Sequence, residues 1–129
     1  MSGLANTRAF GDMGSKRMGV SAEPEMRLLQ LQPSEYAFMI LVTDGVSGAM
    51  SDQEIVDVVK ESRTPEEGAR DVVSYADVVG VGGDNATAVV VRLGGWERRG
   101  EGGGGGVGTR EEREWRRRDA EDGARGRRM

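Results

Sequence analysis

Two rhythms of apolar and polar residues run along this 129-residue chain, and each marks a different kind of element. "MRLLQL" (26–31) and "YAFMILVT" (36–43) are dense apolar runs that read as strands. The Pro33-Ser34 pair in the "QPSE" between them predicts a turn, and so short a connection predicts an antiparallel hairpin. The second run is apolar almost throughout and is expected to be buried on both faces. The rhythm then changes to a helical one. Ser51-Asp52-Gln53-Glu54 has the spacing of a capping box, ahead of Ile55, Val56 and Val59 on one face. Thr64, Pro65 and Glu67 predict the start of a second helix, with Glu67 completing another box. Its stripe is Ala69, Val72, Val73 and Ala76, repeating at i, i+3, i+4 and i+7. After the loop "GVGG", the branched residues of "ATAVVVRL" (86–93) predict another strand. At least three strands with two consecutive helices between the last two predict an α+β layered fold.

The pattern fades after Trp96. A glycine-rich stretch gives way to "TREEREWRRRDAEDGARGRR", which has little besides Trp115 to bury. The expectation is one domain over 1–96 and a Gly/Arg-rich, solvated and disordered tail over 97–129, with at most a short charged helix at 111–121. Carboxylates outnumber basic residues up to residue 96, and the tail's arginines are nearly matched by its own acids; the whole chain carries a net charge of −4. That balance argues against a nucleic-acid-binding module, which needs a concentrated basic face. No apolar run approaches the ~20 residues of a membrane-spanning helix, and the first residues lack the apolar core of a secretory signal.

Cysteine and histidine are both absent. Disulfides, thiolate zinc sites, cysteine nucleophiles and histidine acid–base chemistry are therefore excluded, and a bound metal would have to be a hard cation held by oxygen. The absence of cysteine fits an intracellular protein. Two carboxylates stand where such a cation could bind. Asp44 follows the buried run in "LVTDGVSGAM", and Asp84 precedes the last strand in "GGDNATAVVV". Antiparallel pairing of those strands would bring both to one edge of the sheet, where a cation would offset their repulsion. Mg²⁺ and Mn²⁺ are the natural candidates. Turn chemistry is the alternative: Asp-Gly after a strand and Asp-Asn before one are common hydrogen-bonded turns. The stretch "TRAFGDMGSKRMG" leaves a similar choice, between a loop near an anionic group and a solvated turn.

Taken in order, "LANTRAFGD", "LVTDGVSGAMSDQEIVDVV" and "GGDNATAVVVRL" resemble the C-terminal motifs of the metal-dependent protein Ser/Thr phosphatases, the PPM or type 2C family. The resemblance covers residues 3–93 and extends, through "LGGWERRGEGG", to a fungal branch related to mitochondrial phosphatases. It implies an αββα-type sandwich, present here in part, and a two-metal site for Mn²⁺ or Mg²⁺ that activates water against a phosphoprotein. It assigns Asp44 and Asp84 as metal ligands. Gly45 is implied as site support, Asn85 as holding its loop by hydrogen bonds, and Arg8 and Asp12 as supporting the site without ligation. Thr43 stands where many relatives carry serine. The family's early acidic pair, phosphate-binding arginine and Asp-Gly-His-Gly segment have no counterpart here. The chain is accordingly expected to be an N-terminally truncated piece, inactive alone, of an intracellular enzyme, and the resemblance extends to a mitochondrial setting. The alternative expectation is a non-catalytic interaction module that pairs with another chain through its uncovered sheet.

Overall fold

The computed structural model describes residues 6–101 and 107–127; the glycines at 102–106 and the first residues of the "LANTRAFGD" motif, Leu4 and Ala5, lie outside them. The chain divides into two compact units, 1–30 and 31–129.

In the first unit, Arg8 and Ser21 form an isolated parallel bridge, tied by the Ala9 N–H to the Ser21 carbonyl at 2.9 Å and by the Ser21 N–H to the Thr7 carbonyl at 3.1 Å. Gly11 and Asp12 turn the chain through the left-handed region (φ 73° and 49°) into the one-turn helix α1, Met13–Lys16. The Lys16 ammonium donates to the Ala9 carbonyl and closes this loop.

The second unit orders as β1 (Phe38–Val42), α2 (Asp44–Ser47), α3 (Asp52–Glu61), α4 (Pro65–Val79), β2 (Ala88–Arg92), a 3₁₀ turn (Trp96–Arg98) and α5 (Val107–Gly126). β1 and β2 pair antiparallel, Phe38 opposite Arg92 and Val42 opposite Ala88. The expected third strand is not formed. Residues 26–31 form no strand or helix, and Met26, Leu28 and Leu29 are exposed. The turn at 33–35 does form, with Ser34 at φ 65°, so the hairpin is absent because a strand needs a neighbour to satisfy its backbone.

β1 is not buried on both faces. Phe38, Ile40, Val42, Ala88 and Val90 pack on the core, while Met39 opposite Val91 and Leu41 opposite Val89 form an outward apolar face. A single layer of helices covers the sheet, so alternate residues remain open.

Both helix starts form where the sequence puts them, because their caps are local. The Ser51 hydroxyl accepts from the Glu54 N–H, and the Glu54 carboxylate accepts from the Ser51 N–H at 2.8 Å. Thr64 caps α4 by accepting from the Glu67 N–H. The second box is only half closed, since the Glu67 carboxylate accepts from the Arg63 N–H, one residue earlier than expected. Val59, Val72 and Val46 are fully buried, with Ile55, Val58, Tyr75, Ala76 and Trp96 around them. Trp96 closes one end, edge-on to Phe38 at 6.1 Å between ring centroids and covered by the Arg99 guanidinium at 4.1 Å.

The largest difference from expectation is α5. A solvated tail is expected, yet Val107–Gly126 is a twenty-residue helix packed on α3 and α4. It carries almost no apolar side chains, and Trp115 on it is exposed. It docks through polar groups. Thr109 donates to Asp57, which is 1 % exposed, at 2.6 Å. Arg110 and Arg113 both reach Glu61, and Arg116 pairs with Glu54 at 2.7 Å. The Tyr75 hydroxyl donates to the Arg113 carbonyl. On α3 the acceptors Glu54, Asp57 and Glu61 sit at i, i+3 and i+7, one continuous acidic face.

Glu54 links the cap to this dock. Burial alone would raise its carboxyl; the Ser51 N–H, the Arg116 hydrogen bond, the Ser51 hydroxyl and the Arg116 charge outweigh it and hold the carboxyl below its ordinary 4.5. A group with a lowered folded value stabilises fully above its unfolded value and loses that contribution as pH falls through the folded one. Glu54→Gln keeps the capping geometry but cannot titrate. Unfolding profiles from pH 7 down to pH 3 should therefore show a shallower acid decline in this variant than in the parent. Parallel declines would show that Glu54 carries no such linkage.

Candidate metal centre

The register of the sheet decides where Asp44 and Asp84 come out. Val42 and Ala88 are the last paired residues at one end, and the pairing is prolonged by the Thr43 N–H donating to the Thr87 carbonyl at 3.1 Å. The Thr43 hydroxyl adds a further tie by accepting from the Thr87 N–H at 3.0 Å. A serine could offer the same oxygen; the β-branch of threonine additionally favours the extended backbone seen here (φ −87°, ψ 169°). Asp44 then starts the short α2, and its carboxylate faces no capping duty.

Gly45 is where the two segments touch. A Cβ on it would overlap the Asn85 carbonyl oxygen and stand 2.9 Å from the carbonyl carbon, so only glycine allows the 84–86 segment to lie this close. Gly82 (φ 99°) and Gly83 (φ 62°) turn the chain sharply before Asp84. The result is a cavity of about 280 Å³, lined among others by Asp44, Gly45, Asp77, Gly83, Asp84 and Arg116. Both sequence-predicted carboxylates are therefore brought to one cavity. Asp77, from the last turn of α4, joins them there; its spacing from the apolar stripe gave no sign of it.

Among the described residues, neither the Asp44 nor the Asp84 carboxylate makes a hydrogen bond or ion pair, so the bonded Asx turns of the alternative reading are not formed there. Asn85 likewise makes no side-chain hydrogen bond among the described residues. Its carbonyl packs closely against Gly45. Arg8 and Asp12 lie in the first unit. Arg8 pairs there with Glu25 at 2.7 Å, and Asp12 occupies the turn before α1, its carbonyl accepting from the Ser15 N–H.

The donor chemistry fits a hard divalent cation: unpaired carboxylate oxygens on a cavity with room for the waters such an ion retains. The donor number is small. Among the described residues no group of three or more His, Cys, Asp or Glu is arranged to hold a metal ion. Asp44 and Asp84 bring two carboxylates to the cavity, and Asp77 lines it beside them.

Arg116 is the other charged group of the cavity. It comes from α5, donates to Glu54 at 2.7 Å and to the Ala49 carbonyl at 2.6 Å, and lines the wall with the three aspartates. Burial by itself would lower its pKa, and the Glu54 hydrogen bond and charge more than reverse this, so it stays cationic. No helix among the described residues is long and apolar enough to cross a membrane.

Comparison with known proteins identifies the family of the chain. The family model described as protein phosphatase 2C matches residues 1–84. Protein phosphatase 2C homolog 4 of Schizosaccharomyces pombe is 40% identical over 97 residues, 74% of this chain and 25% of the relative. The mitochondrial protein phosphatase 1K of Xenopus laevis is 41% identical over 93 residues, 72% of this chain and 25% of that protein. Probable protein phosphatase 2C 17 of Arabidopsis thaliana is 40% identical over 90 residues, 70% and 31%. The chain spans about a quarter to a third of the length of these relatives. With the family model matching most of its length, the chain belongs to the protein phosphatase 2C family.

Proposed function

We propose that this chain is the C-terminal part of a metal-dependent protein serine/threonine phosphatase, and that Asp44 and Asp84 supply carboxylates to its Mn²⁺ or Mg²⁺ centre. The observation that carries the reading is the delivery of these two unpaired acids to one cavity by an antiparallel strand pair. When bound, such a cation supplies a water activated for attack on a phosphate ester. This chain's part is positional. Thr43 and the Gly45–Asn85 main-chain contact fix the two carboxylates relative to each other, and Arg8 and Asp12 support the site without ligating, as the family resemblance implies. Further donors come from the remainder of a full-length catalytic domain, and the 129 residues alone are inactive. The phosphorylated protein substrate and a mitochondrial setting belong to the same proposal, the latter supported by the relative from Xenopus.

The test is Mn²⁺ binding by the 129-residue chain, read as paramagnetic broadening of backbone amide signals. Asp44→Asn and Asp84→Asn should each weaken binding at least about tenfold, since each removes one of few anionic donors. Broadening around Gly45 and Gly83 that persists unchanged in both variants would refute the assignment. That result would leave the second reading, a non-catalytic interaction module. It is favoured by the outward apolar face of Met39, Leu41, Val89 and Val91.

A further inference from the structure

We infer that α5 is a strap held by ion pairs and that its Arg116 acts as a built-in counter-ion of the Asp44–Asp84 cavity, setting how tightly that cavity takes a divalent cation. The inference rests on the metal reading above and adds a regulating element to it. α5 lies outside the residues that the family model matches.

Three observations converge. First, Arg116 lines the same cavity as Asp44, Asp77 and Asp84, so one fixed positive charge stands among three carboxylates. A guanidinium there offsets the acids' mutual repulsion, and a divalent cation entering the cavity meets its repulsion in turn. Second, Arg116 is anchored from behind. Glu54 and the Ala49 carbonyl hold its two terminal nitrogens, so the charge is fixed in place. Third, the helix that carries it is held chiefly by polar contacts: Thr109 to Asp57, Arg110 and Arg113 to Glu61, Arg116 to Glu54, and the Tyr75 hydroxyl to a main-chain carbonyl. A helix docked through charges, with its tryptophan in solvent, has little apolar burial to lose on release. Its docking responds to ionic strength and to changes of charge along the acidic face of α3.

Docked, α5 lowers cation affinity; released, it restores the full field of the carboxylates. The measurement is Mn²⁺ broadening of amide signals in the full chain. Arg116→Gln should tighten Mn²⁺ binding roughly three- to tenfold, the scale of one charge acting across a solvated cavity. Arg116→Lys keeps the charge and should remain near the parent. Arg117→Gln, on the same helix but ion-paired with Glu121, should not change affinity. Glu61→Gln acts from the far end of α3, away from the cavity. It should speed hydrogen exchange of α5 amides and shift Mn²⁺ affinity in the same direction as Arg116→Gln, even if the latter variant folds poorly. Unchanged or weaker Mn²⁺ binding in both Arg116→Gln and Glu61→Gln overturns the inference while leaving the metal reading intact. Absence of any broadening at the cavity, or equal broadening in Asp44→Asn, overturns the metal reading and this inference with it.

Discussion

Trp96→Ala should cost the second unit about 3–5 kcal/mol, the usual range for truncating a buried aromatic. Only 3 % of Trp96 is exposed, and three things are lost with it. The edge-on contact with Phe38 disappears from the inner face of β1. The Arg99 guanidinium loses the ring it covers, although its bonds to the Trp96 and Ser62 carbonyls use main-chain acceptors and can persist. The remaining cavity would be ringed by partly rigid elements that cannot collapse fully. Urea unfolding followed by circular dichroism should show a midpoint shift of that size, or no cooperative transition at all. A loss below about 1 kcal/mol would mean that the 3₁₀ turn is a peripheral cover and not part of the core.

Gly45→Ala should be the next most damaging change, although it adds a single methyl group. The new carbon would overlap the Asn85 carbonyl, and neither neighbour is a flexible side chain that can swing aside. Either β2's approach must move outward or α2 must tilt, at a cost of about 2–3 kcal/mol for overpacking against backbone. For a unit of this size that corresponds to a fall in melting temperature of roughly 10 °C or more. The distinguishing readout is local. Amide signals near Thr43, Asp84 and Thr87 should shift far more than those of α3, and Mn²⁺ broadening at the cavity should weaken alongside. A variant with parental melting temperature and undisturbed signals there would contradict the close approach.

These two residues also show what could be read from the chain and what could not. Helix starts were legible because a cap is written within four residues: Ser51 with Glu54, and Thr64 with Pro65. Antiparallel pairing of the two strands around Asp44 and Asp84 could be stated only as a condition, and the structure meets it, bringing both acids to one cavity. The absence of a strand at 26–31 was not legible, because apolar density shows that a segment would gain from a partner and does not show that one is there. The reading of β1 as buried on both faces failed for the same reason: it assumed a second covering layer. α5 escaped because hydrophobic periodicity is blind to a helix docked through charges. Its signal lay elsewhere, in the match between Glu54, Asp57 and Glu61 on one helix and Thr109, Arg113 and Arg116 on another. Asp77 was invisible to pattern, since only the fold brings the end of α4 beside the loop before β2.

The order of elements has a consequence for how the cavity comes into being. α3 and α4 are local structures with their own caps, whereas Thr43 and Thr87 meet only after the whole segment between them has been closed into a loop. Loop-closure entropy makes such a pairing slow compared with helix formation, and prior compaction of the intervening chain shortens the span to be closed. The two helices therefore act as a kinetic splint for the strands. Asp44 and Asp84 reach their common cavity only when that long-range contact is made, so any repulsion between them enters the folding of the unit at its end and not at its start.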